Sequence, residues 1–323
     1  MANVTADPSD YCTIDICPLT LANFTYIPSL AGNVIYLATF AAILIPHLYL
    51  GIRYKTWGYF VGMVGGLALE IIGYAGRIQL HFNPFPFDPF LEYLICLTIG
   101  PAFLAAAIYL CLGRIVVVYG EGISRVQARA YSILFISCDF LSLVLQAAGG
   151  ALAATADTRA ENKTGVNIMI AGLSTQVVSL LLFIILGAGF AWRVRKNPQQ
   201  LDLRFENLRS SKKWQLFIIG LAVATVTIFI RCVFRVAELN SGFNGELFND
   251  EVAFMVLEGP MIIIACVCLT VSHPGLVFKE TLADTNWSLR RKKTFDGPSQ
   301  NNAHQKLDSR ELTLGPRDMR SSP

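Results

Sequence analysis

The sequence predicts an all-α, polytopic membrane protein with seven transmembrane helices, its N-terminus outside and its C-terminus in the cytosol. Three observations carry this. Hydrophobic residues make up 54% of the 323-residue chain and charged residues only 15%, against about 25% charged in an average soluble protein. Several apolar runs are long enough to cross about 30 Å of hydrocarbon, too long for barrel strands and without their period-2 alternation. Lysine and arginine gather in alternate loops, the pattern that marks the cytosolic side.

Residues 1–28 are polar and form an extracellular segment carrying Cys12 and Cys17. They lack a basic n-region, so no cleavable signal peptide is expected. The membrane domain is expected over 29–275. Helix one is placed at about Ser29–Leu50, and the link Gly51–Thr56 carries Arg53 and Lys55. Helix two is placed at about Trp57–Leu80, before a Pro/Phe-rich loop at His81–Pro89. Helix three is placed at about Leu91–Val117, before a loop with Arg125 and Arg129. Helix four is placed at about Tyr131–Ala154, before a polar loop at Thr155–Gly165. Helix five is placed at about Val166–Trp192, before a long basic loop at Arg193–Lys213. Helix six is placed at about Trp214–Val236 and helix seven at about Glu251–Val271, with a Gly/Asn/acidic loop between them. The remainder, 276–323, is a cytosolic tail, Ser/Arg/Lys-rich and expected to be disordered.

Seven spans put the termini on opposite sides, and the basic loops follow helices one, three and five. Glycosylation sequons at Asn3 and Asn162 fall on the predicted outer side and are the candidate glycan positions. Asn23 begins a third sequon close to the membrane, and Asn286 begins a fourth in the predicted cytosolic tail. Cys12 and Cys17, also outside, are the candidate disulfide. The basic loop and the run Arg290-Arg291-Lys292-Lys293 point to anionic inner-leaflet lipid. Setting topology alone explains them equally well.

A charge at the centre of a spanning helix costs roughly 2.5–3.5 kcal/mol on insertion scales, so such residues face a protein interior or a wet cavity. Arg231, Arg235 and Glu238 follow i, i+4, i+7 and share one helix face. Glu70, Gly73, Tyr74 and Arg77 share a face of helix two. At 1.5 Å per residue, Glu70, Gln146 and Gln176 lie roughly 15 Å below the outer surface, and Arg231 and Glu258 roughly 10 Å below it. Arg77 and Arg235 sit nearer the rim, and Asp139 lies deeper. The candidate substrate-binding set is therefore Glu70, Tyr74, Arg77, Asp139, Gln146, Gln176, Arg231, Arg235, Glu238 and Glu258. Glu258 and Glu70 are the expected partners of Arg231, and the two arginines are expected to need acids from elsewhere. Two readings of the Glu–Arg set stand side by side, a helix lock and a substrate lining. Gln146 and Gln176 read more simply as interhelical packing bonds. Gly58, Gly62, Gly65 and Gly66 read as a packing face. Pro101 and Pro260 kink their helices or open backbone carbonyls to a cavity.

Other chemistry falls away. The sequence has no G-x-x-x-x-G-K-[ST] run for ATP. His47, His81, His273 and His304 have no metal spacing and are read at different depths. No cofactor, metal or nucleic-acid partner is expected, and no enzyme activity.

In this setting the chain resembles the fungal RTA-like family, also called lipid-translocating exporters. The resemblance runs from about Tyr26 to Gly275. It rests on Tyr26-x-Pro28-Ser29-Leu30-x-x-Asn33, Glu70-x-x-Gly73-Tyr74-x-Gly76-Arg77, and Pro101-Ala102-Phe103 with Ala107-x-Tyr109. It continues through Asp139, Gln146-x-x-Gly149-Gly150 and Gly172-Leu173-x-x-Gln176. It ends with Arg231-x-x-x-Arg235-x-x-Glu238, Gly242-x-x-Gly245, Glu251 and His273-Pro274-Gly275. Met255 and Glu258 stand where the family usually has a tyrosine and an aspartate. The resemblance implies translocation of sphingoid long-chain bases, resistance to toxic amphiphiles such as aminosterols and azoles, or porphyrin uptake. The expectation is a plasma-membrane translocator of amphipathic lipids or drugs with no ATP site. The alternative is a seven-helix receptor for lipid or membrane stress, although Leu112-Gly113-Arg114 stands where a D-R-Y-type triplet would end helix three.

Overall fold

A computed structural model describes residues 26–120, 128–155, 158–201, 203–240 and 247–278, with Gly245 and scattered positions before Tyr26. The regular structure among these residues is helical throughout. It comprises α1 (Leu30–Tyr54), α2 (Trp57–Phe82), α3 (Phe87–Tyr119), α4 (Ala128–Ala154), α5 (Arg159–Lys196), α6 (Glu206–Arg209), α7 (Lys212–Asn240), α8 (Glu251–Leu257), α9 (Gly259–Val271) and α10 (Pro274–Phe278). Seven spans are long and apolar enough to cross a membrane, with α8–α10 together making the seventh. Each span packs on its chain neighbour, and α1 packs on α9, which closes a ring. The most buried span is α3, which also reaches across to α7.

Local chemistry sets the helix ends. Ser29 caps α1 by accepting from the Gly32 N–H, and Asp250 caps α8 by accepting from Val252 and Ala253. Thr158 and Glu161 form a reciprocal capping box that starts α5 at Arg159 rather than at Val166. Most of the expected polar loop Thr155–Gly165 is therefore helix. Asn162 lies in the opening turns of α5, exposed, with its amide donating to the Ala153 carbonyl at 3.0 Å. Asn3 and the tail from Lys279 lie outside the described residues. At its other end α5 runs to Lys196, and short helical turns at Pro198–Gln200, Leu203–Phe205 and α6 shorten the expected basic loop. Arg193, Arg195 and Lys196 fill the last turn of α5, where cations suit the helix dipole.

Small residues bring neighbouring helices together. Gly58, Gly62, Gly65 and Gly66 of α2 all face α3, and a Cβ at Gly62 would lie 2.9 Å from the Phe103 carbonyl oxygen. Between α4 and α5, a Cβ at Gly149 would lie 2.7 Å from the Gly165 carbonyl oxygen. Any larger residue at these two positions would push the helices apart.

The seventh span, expected as one helix over Glu251–Val271, is broken. Leu257 ends α8, and α9 restarts at Gly259 with Pro260 in its first turn. Pro260 has no N–H for the Val256 carbonyl and its ring crowds that oxygen, so the helix opens there. Tyr36 of α1 donates its hydroxyl to the neighbouring Met255 carbonyl at 2.6 Å.

Candidate functional site: a buried charged centre

The centre forms where α2, α3, α7 and the α8–α9 break meet. Arg231 of α7 is buried, and its Nη2 donates to Glu258 Oε1 and to the Leu97 carbonyl of α3. Leu97 stands one helical turn before Pro101, which has no N–H to give it. The proline thus leaves a carbonyl free inside the bundle, and Arg231 takes it. Two of the prolines inside the spans therefore act on this centre: Pro101 frees an acceptor, and Pro260 opens the backbone at Glu258, while Pro46 lies within α1.

Glu70 of α2 is equally buried. Its Oε1 lies against the α3 backbone where Gly100 leaves room, since a Cβ there would stand 2.8 Å away. Arg231, Glu258 and Arg235 are its charged neighbours. Among the described residues, Glu70 Oε1, Glu258 Oε2 and the Tyr74 hydroxyl are buried without a hydrogen-bond partner. Tyr74 shares the field of both carboxylates, with its ring packed on Phe40 and Tyr36. A buried polar group left unpaired costs about 1–3 kcal/mol. Arg231 Nε and Arg235 Nε are likewise buried without a hydrogen-bond partner, so the centre holds unpaired donors as well as unpaired oxygens.

Arg235 differs from expectation. Its Nη1 donates to Glu238 Oε2 at 2.6 Å, one turn further along the same helix, and its Nη2 donates to Thr98 Oγ1 at 3.3 Å. The acid it needs thus comes from its own helix at i+3 rather than from elsewhere. Arg77 donates to Asn33 Oδ1 at 3.3 Å and to the Tyr26 hydroxyl at 3.1 Å. Its guanidinium lies 3.8 Å from the Phe254 ring centroid and 5.2 Å from that of Tyr93, within cation–π range. Tyr26 belongs to the segment before α1; burial pushes its phenol up, and Arg77 pulls against that shift. The same segment is tied down by the Ser29 N–H, which donates to Glu251, and by His81 Nδ1, 2.8 Å from the Pro28 carbonyl.

The other candidates lie in separate contacts. Gln146 Nε2 donates to Gln176 Oε1 at 3.2 Å, bridging α4 and α5. Asp139 Oδ2 accepts from the Tyr109 hydroxyl at 2.9 Å. Cys12 and Cys17 form a disulfide with a Cα–Cα separation of 5.5 Å. Two histidines read at different depths prove adjacent: the His47 and His273 rings are 6.1 Å apart, and His47 Nε2 lies 2.8 Å from Thr270 Oγ1. Among the described residues no three His, Cys, Asp or Glu gather where they could hold a metal.

Several partners were not singled out from the sequence. Phe254 and Thr98 look like ordinary span residues, and a lone threonine in an apolar helix gives no signal. The Leu97 carbonyl was findable, because every proline within a span orphans the carbonyl one turn before it.

Seven apolar helices closed around a buried, partly unpaired charge cluster define a polytopic membrane protein with an intramembrane polar site. The chain belongs to the RTA1-like proteins: the family model described as "RTA1 like protein" matches residues 63–281. It is 35% identical over 281 residues to the sphingoid long-chain base transporter RSB1 of Saccharomyces cerevisiae (strain Lalvin EC1118), covering 78% of this chain and 73% of that one. It is 32% identical over 238 residues to Protein RTM1 of Saccharomyces cerevisiae, covering 71% and 74%. It is 31% identical over 221 residues to protoporphyrin uptake protein 1 of the same yeast, covering 68% and 70%. No solved structure matches the chain.

Proposed function

We propose that this protein translocates amphipathic lipids across a bilayer, with a sphingoid long-chain base as the favoured substrate class. One observation carries the reading. Arg231 is paired with Glu258 and Arg235 with Glu238, while Glu70 is buried with no ion-pair partner among the described residues. The ammonium of a long-chain base complements that spare carboxylate, and its alkyl tail suits the apolar space between helices. The relative named as a sphingoid long-chain base transporter supports the same substrate, and the protoporphyrin uptake relative supports a broader amphiphile range. Export of toxic amphiphiles, and hence drug resistance, follows from the same chemistry. The positive-inside pattern of the basic loops supports an orientation with the Arg195 end in the cytosol and the charged centre nearer the outer leaflet. The plasma membrane is the proposed location, and the basic loop is proposed to touch anionic inner-leaflet lipid.

Purified protein in liposomes, with transbilayer movement of a fluorescent sphingoid base as the readout, tests this. Wild type is expected to speed movement, and Glu70→Gln and Glu258→Gln to slow it by roughly ten-fold each, the loss of one charge-assisted contact. Variants as fast as wild type would remove the charged centre from the pathway. No movement from folded wild-type protein would favour the lipid-receptor reading.

A further inference from the structure

Away from the charged centre, a crevice of about 150 Å³ opens on the side of the bundle between α3 and α4, with Met169 of α5 also in its lining. Ile95, Ala147 and Ala151 at its mouth are exposed, so the opening faces the surface that the membrane covers. The lining is apolar except for Thr98 and Gln146. Gln146 is only 5% exposed; its Nε2 is used by Gln176, and its Oε1 has no donor among the described residues. The Thr98 hydroxyl donates to the Leu94 carbonyl at 2.6 Å and accepts from Arg235. One wall of the crevice is therefore shared with the Arg235–Glu238 pair.

An amide oxygen left unpaired in an apolar crevice favours a guest that brings its own donor. We infer that this crevice is a lateral headgroup subsite for a hydroxyl-bearing amphiphile, and that Gln146 is the residue that reads the hydroxyl. The inference rests on the translocation reading above and adds the feature of the lipid that is selected. Carboxylates and phosphates bring no donor for Gln146 Oε1 and are disfavoured there. A hydroxyl both donates and accepts, so it satisfies the Gln146 amide in either flip state. The volume holds a head group and not an alkyl chain, which leaves the tail outside along Ile95 and Ala147. An amino diol then divides its groups: the hydroxyl is held at Gln146 and Thr98, and the amine is free to move on to Glu70.

The test uses two amphiphiles of one chain length, a long-chain amino diol and the plain alkylamine. Binding to the purified protein is measured by native mass spectrometry, and flux is measured in liposomes. Wild type is expected to bind the diol roughly ten-fold more tightly, the ordinary worth of one buried hydrogen bond. Gln146→Leu is expected to bring that preference to parity. The double variant Gln146→Leu/Gln176→Leu, which leaves no orphaned amide, guards against misfolding and should do the same. Gly150→Leu is a further check. Gly150 lines the crevice, and a Cβ there meets only Met169 Sδ, at 3.7 Å, so a leucine is expected to fill the crevice and weaken diol binding. A diol preference that survives in all three variants, or is absent in wild type, overturns the inference. A preference lost in the variants with no flux from wild type leaves the subsite standing and sinks the translocation reading. Flux without any preference does the reverse.

Discussion

The Arg231–Glu258 pair supports a double-mutant cycle whose sign can be worked out in advance. Arg231→Met removes the donor of two bonds and leaves both Glu258 and the Leu97 carbonyl unpaired, with Glu70 as a like charge nearby. Breaking a buried pair by removing one partner costs about 3–5 kcal/mol, because the other charge is stranded. The orphaned carbonyl adds about 1–3 kcal/mol. Glu258→Met strands Arg231, but Glu70 remains to meet it, so the loss should fall at the lower end of the buried-pair range. The double variant Arg231→Met/Glu258→Met strands no charge and keeps only the carbonyl cost. It is expected to be more stable than Arg231→Met alone by about 3–5 kcal/mol, the cost of the stranded charge, which is a strongly non-additive result. The assay is denaturant unfolding in detergent micelles followed by tryptophan fluorescence, since Trp214 is buried and reports on α7. Additivity within about 0.5 kcal/mol would refute the pairing as the organising contact of the centre.

Three other outcomes are expected. Pro101→Ala restores an N–H for the Leu97 carbonyl and relieves a helix-interior proline worth about 3 kcal/mol, so stability should rise while long-chain base flux falls as Arg231 loses an acceptor; a rise in both would contradict the role given to that carbonyl. Tyr36→Phe orphans the Met255 carbonyl beside the helix break and should cost about 1–3 kcal/mol in the same unfolding assay. Gly149→Ala drives a methyl into α5 and should cost about 1–3 kcal/mol, while Gly187→Ala, whose added Cβ meets nothing within 4 Å, should lie within about 0.5 kcal/mol of wild type.

Hydropathy made the spans legible because burial in lipid constrains almost every residue of a run. It could not find the start of α5, since the turns from Arg159 to Gly165 are polar; only the Thr158–Glu161 spacing marked that end. Residue counting along each helix gave the layer shared by Glu70, Arg231 and Glu258, because rise per residue is fixed. Pairing depends also on how each helix is rotated and where it stands in the ring, which counting does not supply. Arg235 shows the limit: an acid from elsewhere was expected, and the partner is Glu238 at i+3 on its own helix. His47 and His273 show it again, because they were counted on separate helices and meet only once α1 closes the ring on α9. The Gln146–Gln176 bond joins α4 and α5, but the spare Gln146 oxygen depends on a crevice that no sequence pattern announces.

The break in the seventh span has a mechanical consequence. Glu258 is at once the joint between two rods and the latch that holds the joint shut against α7. Swinging α8 about Gly259–Pro260 would pull the carboxylate from Arg231, so bending here carries an electrostatic toll that straight, uncharged helices do not face. A cation arriving at Glu70 changes the local field and with it the size of that toll. Under the proposed reading, ligand charge and backbone flexure would be coupled through one residue, without any need for a remote relay.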